Sequence, residues 1–226
     1  MTSPPSLNLV FDLGQVMVRW EPVALLQRFF PHRCSTDVQA QQLAEACFRS
    51  QAWSAFDAGL LDTDGVTQAL AAILQAPDRL VRAMVVDIAH ALSPIASSVS
   101  LLAQLHRWRN AQTHQSLRLY YLSNMPEPYA AHLITTHDFF NCFDGGVFSA
   151  RVKLAKPDPA IYAHAEQALE LMPAQTFFFD DHWPNVQAAN QRGWQGVLVP
   201  DPAQLQSLLP SWLKVSSGKW PAQGRP

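Results

Sequence analysis

The chain has 226 residues, 48% hydrophobic and 15% charged, enough to bury a core without disulfide or metal staples. Its net charge of −2 offers no basic field to nucleic acid or anionic lipid, and no stretch approaches the roughly 18 uninterrupted apolar residues of a membrane span. Cys34, Cys47 and Cys142 are far apart, with no C-x-x-C pair and no secretory leader, which predicts small buried thiols in a soluble, reduced, cytoplasmic protein.

The first element is the run Leu7–Phe11, which ends on Asp12 and then Gly14. An apolar run closed by one carboxylate reads as a buried parallel strand delivering Asp12 to the carboxyl edge of a sheet. On this stretch alone Asp12 could equally cap the turn that follows. Strand character ending in a turn returns only at Leu117, about a hundred residues on, where connections above ~15 residues are already uncommon. The intervening residues are therefore an insert. Pro22 opens a helix through Phe30, Asp37 caps Val38 to Phe48, Thr63 or Asp64 caps Val66 to Leu74, and Pro77 starts a helix to His90. Apolar residues recur at three and four throughout, so residues 19–92 are predicted to be all-helical.

Ser93-Pro94 breaks the chain, and Ile95 to Trp108 forms an amphipathic helix. Strand Leu117–Leu122, helix Pro126–His137 and a short strand or flap at Phe143–Ser149 follow. Helix Pro159–Leu171, strand Thr176–Phe179, helix Pro184–Arg192, strand Gly196–Val199 and helix Pro202–Leu213 complete the pattern. This alternation predicts an α/β fold: a mostly parallel sheet with helices on both faces. No internal repeat is seen, and the Pro-, Gly- and Ser-rich ends are expected to fray.

Three further strand or helix ends carry chemistry. Strand Leu117–Leu122 ends on Ser123-Asn124, Lys156-Pro157-Asp158-Pro159 opens a helix, and Thr176–Phe179 ends on Asp180-Asp181. Singly each has a bland reading: Ser123-Asn124 as a helix-start turn, Lys156 as a solvated surface lysine. Adjacent aspartates after three phenylalanines are harder to explain without a cation, because their charges repel. With Asp12, the series resembles the four motifs of the haloacid dehalogenase-like hydrolase superfamily, over about residues 7–200.

That resemblance implies a Rossmann-like core of residues 1–18 and 93–213, an α-helical cap of residues 19–92 and a disordered tail of residues 214–226. It also implies a phosphatase in which Asp12 attacks phosphorus, and Asp12, Asp181, Asp180 and the Gly14 carbonyl hold Mg²⁺. Ser123, the Asn124 N–H and Lys156 would bind phosphate, and Asn185 would orient the metal site. The implied partner is a small phosphorylated metabolite, for a monomer or homodimer. No histidine pair has zinc spacing. His182 stands at the cleft by position, while core packing is expected for Trp53 and Trp183.

The chain departs from the superfamily at Gly14, where most of its phosphatases carry a second aspartate that protonates the leaving group. Three readings follow. The first is the phosphatase subgroup with Asp-Leu-Gly at this site, similar to bacterial sugar-phosphate phosphatases acting on α-glucose 1-phosphate and its like. The second is a dehalogenase using Asp12 against carbon, and the third a weakly active phosphate-binding module. Asp180-Asp181 disfavours the second, since metal-type carboxylates have no task in a metal-free displacement at carbon. A glycine supplies no acid, so either His182 or a cap residue does, or reaction slows steeply as the leaving group becomes more basic. In the insert, Phe56-Asp57-Ala58-Gly59 stands where related caps often read Glu-Arg-Gly, so a cap arginine is missing.

Overall fold

The computed structural model describes residues 7–111, 117–210 and 213. Strand β1 (Leu7–Phe11) is followed by helices α1 (Pro22–Phe29), α2 (Asp37–Phe48), α3 (Gln51–Asp57), α4 (Thr63–Leu74) and α5 (Asp78–Ala91). Helix α6 (Ala96–Asn110) then leads to β2 (Leu117–Ser123) and α7 (Glu127–Thr136). After these come β3 (Gly145–Phe148), α8 (Ser149–Val152), α9 (Pro159–Ala168), β4 (Thr176–Asp180), α10 (Trp183–Gln191), β5 (Gln195–Leu198) and α11 (Leu205–Leu208).

The strands form one parallel sheet in the order β3-β2-β1-β4-β5. This is the expected Rossmann-like α/β fold. β1 lies at the centre, with Leu9 opposite Leu119 on one side and Phe177 on the other. Because side chains alternate along a strand, each strand feeds two cores. Leu9, Phe11, Leu119 and Phe179 pack towards α6, α7 and the helical insert, whereas Val10, Leu122 and Phe178 pack against Ile161 and Tyr162 of α9 and Ala189 of α10. Burial of this kind stabilises the fold by about 1.5–3 kcal/mol for each large apolar side chain.

Two short extended segments join the insert to the sheet. The Arg19 N–H donates to Ser93 O and the Ile95 N–H to Met17 O, both at 2.8 Å, with Val18 bridging antiparallel to Pro94. The insert is further fastened by the Tyr129 hydroxyl, which donates to Val85 O at 2.7 Å.

Several local expectations are corrected. Helix α3 was not expected; Ser50 starts it by accepting from the Trp53 N–H at 3.1 Å. Thr36 rather than Asp37 caps α2, and Asp62 rather than Thr63 or Asp64 caps α4. Each cap lies where its oxygen meets the N–H three residues on. Helix α9 stops before Leu171 because Glu170 takes a left-handed φ of 54°. The final helix, expected through Leu213, ends at Leu208, since Leu209 precedes Pro210 and is pushed to an extended ψ of 151°. Cys34 and Cys47 are buried and Cys142 half-buried, all unpaired with one another. No described helix is long and apolar enough to cross a membrane. The expected frayed ends, including residues 214–226, lie outside the described residues.

Candidate active site

The sheet topology brings the sequence's separate carboxylates to one place. The chain leaves β1 for β2 and β3 on one side, then returns to β4 and β5 on the other. The strand order reverses at β1, which is where α/β folds open a crevice at their carboxyl ends. Asp12 follows β1, Ser123 ends β2 and Asp180 ends β4, so three adjacent strands present these residues together. The Asp12 N–H donates to Phe179 O at 2.8 Å and fixes its backbone to the neighbouring strand.

Lys156 lies at the centre of the charges. Its Nζ is 2.6 Å from Asp180 Oδ2 and 3.0 Å from Asp12 Oδ1, and it sits 5.1 Å from the centre of the Phe178 ring. The residue is 5% exposed, so this is a buried cation and not a surface lysine. Burial opposes its charge, but Asp12 and Asp180 outweigh that and hold the ammonium above its ordinary value. Asn124 clamps its backbone, accepting from the Lys156 N–H and donating Nδ2–H to Lys156 O, each at 2.8 Å. Asp180 is fully engaged, accepting also from the His182 N–H at 2.8 Å and from Asn185 Nδ2 at 3.1 Å to each oxygen.

The remaining carboxylates are less satisfied. Asp12 is buried, and its Oδ1 receives the ion pair from Lys156 but no well-directed hydrogen bond. Burial raises its carboxyl well above the usual range, with Asp180 and Asp181 adding to the effect and Lys156 opposing it. Asp181 faces the solvent, yet desolvation of its carboxyl and then the Asp180 charge push it up to about 6. Oxygens of Asp12, Asp180 and Asp181 all lie within 4.8 Å of one another.

Sequence reasoning thus named residues that do converge, though with some different partners. Asn185, expected to orient the metal site, hydrogen-bonds both oxygens of Asp180. The Asn124 side chain holds Lys156, a task no motif announced. His182 and Trp183 are exposed, Trp183 by 55%, so core packing fails for Trp183; Trp53 is buried.

Beside Gly14 a cavity of about 110 Å³ opens between the sheet edge and the insert. Trp20, Trp53, Ile88, Leu92, Met125 and Tyr129 form its apolar walls, and Gly14, Asn124 and Asp57 line it as well. Asp57 is the site residue that the sequence reading missed. Burial pushes its carboxyl up to about 8, with the Asp12 charge adding and Lys156 opposing. Its only signal was the departure of Phe56-Asp57-Ala58-Gly59 from the pattern of related caps.

Comparison with known proteins agrees with this geometry. A sesquiterpene phosphatase, astK, from Aspergillus oryzae is 28% identical over 192 residues, covering 85% of this chain and 89% of the relative. Drimenol cyclase drtB from Aspergillus calidoustus is 25% identical over 204 residues, but the match spans only 35% of that longer protein. In fold, the chain is similar to the enzyme bt-2542 of Bacteroides thetaiotaomicron in complex with magnesium and inorganic phosphate. That likeness has a TM-score of 0.65 at 19% identity, over 85% of this chain and 93% of the other. It is similar also to the L-2-haloacid dehalogenase of Xanthobacter autotrophicus, with a TM-score of 0.63 at 21% identity, over 84% and 75% of the two chains. Residues 29–193 match the haloacid dehalogenase-like hydrolase family model, and with the carboxylates and lysine converging at the sheet edge, the chain belongs to that family.

Proposed function

We propose that the chain is a Mg²⁺-dependent phosphatase that takes phosphate from a small, hydrocarbon-rich monoester, with residues 19–92 as a helical cap over the site. The observation that carries this reading is the buried Lys156 ammonium wedged between Asp12 and Asp180, with Asp181 beside them. Three carboxylates against one ammonium leave negative charge to be balanced, and Asp12 Oδ1, which accepts no well-directed hydrogen bond, keeps a lone pair for a cation. An all-oxygen donor set of Asp12, Asp181 and the Gly14 carbonyl, with Asp180 adjoining, suits Mg²⁺. When bound, the cation neutralises phosphate charge and keeps Asp12 ionised.

The chain's own residues then divide the work. Asp12 attacks phosphorus as the ester P–O bond breaks, giving an aspartyl-phosphate and an alcohol; water later frees the phosphate. Lys156 pairs with a non-bridging oxygen, and the Ser123 hydroxyl and Asn124 N–H donate to the others. Asn185 and the His182 N–H hold Asp180, which in turn holds Lys156.

The cavity walls favour a hydrocarbon alcohol over a sugar. Most of the lining residues are apolar or aromatic, and the Tyr129 hydroxyl already donates to Val85 O, so few groups remain to receive sugar hydroxyls. The sesquiterpene phosphatase among the relatives supports the same class. The test measures phosphate release from farnesyl monophosphate and glucose 1-phosphate, with Mg²⁺ or EDTA. Release from the farnesyl ester should need Mg²⁺ and fall by about 10³-fold or more in Asp12→Asn, a near-isosteric change that removes the nucleophile. Preference for glucose 1-phosphate would refute the substrate class. Full activity in EDTA, or halide release from a haloacid without phosphate release, would refute the phosphatase.

A further inference from the structure

We propose that Asp57, at the C-terminal end of α3, protonates the leaving alcohol and so stands in for the side chain that Gly14 lacks. The inference rests on the phosphatase reading. A Cβ built on Gly14 would meet no atom within 4 Å, and Gly14 does not have the positive φ that would require glycine. The missing side chain therefore leaves usable space, and that space is the cavity that Asp57 also lines. An in-line displacement sends the ester oxygen away from Asp12, and the cavity beside Gly14 is the room open to it.

Asp57 is held there by its backbone, which leaves its side chain free. The Ser149 hydroxyl donates to Asp57 O, and Lys153 Nζ donates to Gly59 O. Gly59 has φ +65°, and a Cβ on it would lie 2.6 Å from Ala150 O, so glycine lets the end of α3 press onto α8. No group among the described residues hydrogen-bonds the Asp57 carboxyl. Its raised affinity for protons, caused first by burial, suits a donor working near neutral pH. His182, the other candidate acid, is exposed and does not line the cavity.

The steps balance. As Asp12 Oδ bonds to phosphorus, the ester P–O pair moves to the alcohol oxygen, which takes the Asp57 proton. The Asp57 carboxylate next accepts a proton from water as that oxygen attacks phosphorus, and the acyl-phosphate P–O pair returns to Asp12. Ester and water become alcohol and phosphate, with Asp57 protonated again.

The experiment compares kcat/KM for 2-phenylethyl phosphate, whose alkoxide needs a proton, with that for 4-nitrophenyl phosphate, whose phenolate does not. In the wild-type protein with Mg²⁺, kcat/KM should depend only weakly on leaving-group basicity. Asp57→Asn should lower it by about 10²-fold or more for the alkyl ester and at most about tenfold for the aryl ester. Gly14→Asp added to Asp57→Asn should restore much of the alkyl rate. Equal losses on both esters, or a steep dependence already present in the wild-type protein, overturn the proposal. The wild-type series needs no variant to fold. Failure of the wild-type protein to release phosphate from either ester would instead defeat the phosphatase reading itself.

Discussion

The carboxyl edge of the sheet and the tip of α3 both place aspartates on the same small space, and they hold them in opposite ways. At the edge, Asp180 is tied by an ammonium, a side-chain amide and a backbone N–H, and Lys156 is locked between Asp180 and Asp12. At the tip, the backbone of Asp57 is tied through Ser149 while its carboxyl has no hydrogen-bond partner among the described residues. A charge fixed by several partners keeps its position, which is what holding phosphate demands. A carboxyl desolvated without partners keeps its proton instead. The two regions divide electrostatic holding from proton movement.

Breaking the edge should have the largest effect. Lys156→Met removes the one cation that, among the described residues, pairs with the two buried carboxylates of Asp12 and Asp180, so it should cost about 3–5 kcal/mol of stability and abolish phosphate release, as read from urea unfolding and an activity assay. A variant of wild-type stability would show that the ion pairs are not structural. Within the edge, the two neighbouring aspartates should separate. Asp181→Ala should weaken Mg²⁺ binding more than Asp180→Ala, because Asp181 alone of the pair has an uncommitted carboxylate. Asp180→Ala should instead depress the melting temperature in EDTA, since it strips a partner from Lys156 and from Asn185. Metal titration and melting of both variants decide this; the reverse ranking would make Asp180 the principal ligand.

The same contrast explains what the sequence disclosed. Asp12, Ser123, Asp180 and Asp181 were legible because an apolar parallel strand ending in a polar residue has one destination, the carboxyl edge, and parallel pairing then sets them side by side. Lys156 was legible only by resemblance to a family motif, since nothing local distinguishes it from a surface lysine. The pairing of Asn185 with Asp180 depends on the α10 start, which spacing alone leaves open by a residue. Asp57 was hidden because α3 is only 7 residues long and its position depends on contacts with α8, nearly a hundred positions away in sequence.

Acidity offers a milder test of the contrast. Asp57 and Asp181 bind protons more tightly in the fold, at about 8 and about 6, than at their ordinary 3.8. Folding therefore takes up protons, and the resulting stabilisation is complete below pH 3.8 and lost as pH rises through those two values. In EDTA the melting temperature should fall between about pH 4 and about pH 8, and Asp57→Asn should flatten the part of that fall above about pH 6. Mg²⁺ should flatten the lower part, because a bound cation favours the ionised Asp181. A melting temperature that rises with pH in EDTA would contradict the placement of both carboxyls.

The smallest expected effect is also the most discriminating between the two regions. Ser149 touches neither Asp12 nor Lys156; its hydroxyl accepts from the Met125 N–H at 2.8 Å and donates to Asp57 O, so it fastens the α3 tip to the core. Ser149→Ala leaves that N–H and carbonyl to find other partners, at a cost of about 1–3 kcal/mol in stability. The sheet edge keeps all of its bonds, so Mg²⁺ affinity should not change. If the tip supplies the leaving-group proton, kcat/KM for an alkyl phosphate should drop about fivefold, the equivalent of one hydrogen bond's ~1 kcal/mol, while the value for 4-nitrophenyl phosphate holds. If the tip only walls the cavity, both esters should respond alike. A fall in Mg²⁺ affinity in this variant would show that tip and edge are one mechanical unit, and the division of labour between them would not stand.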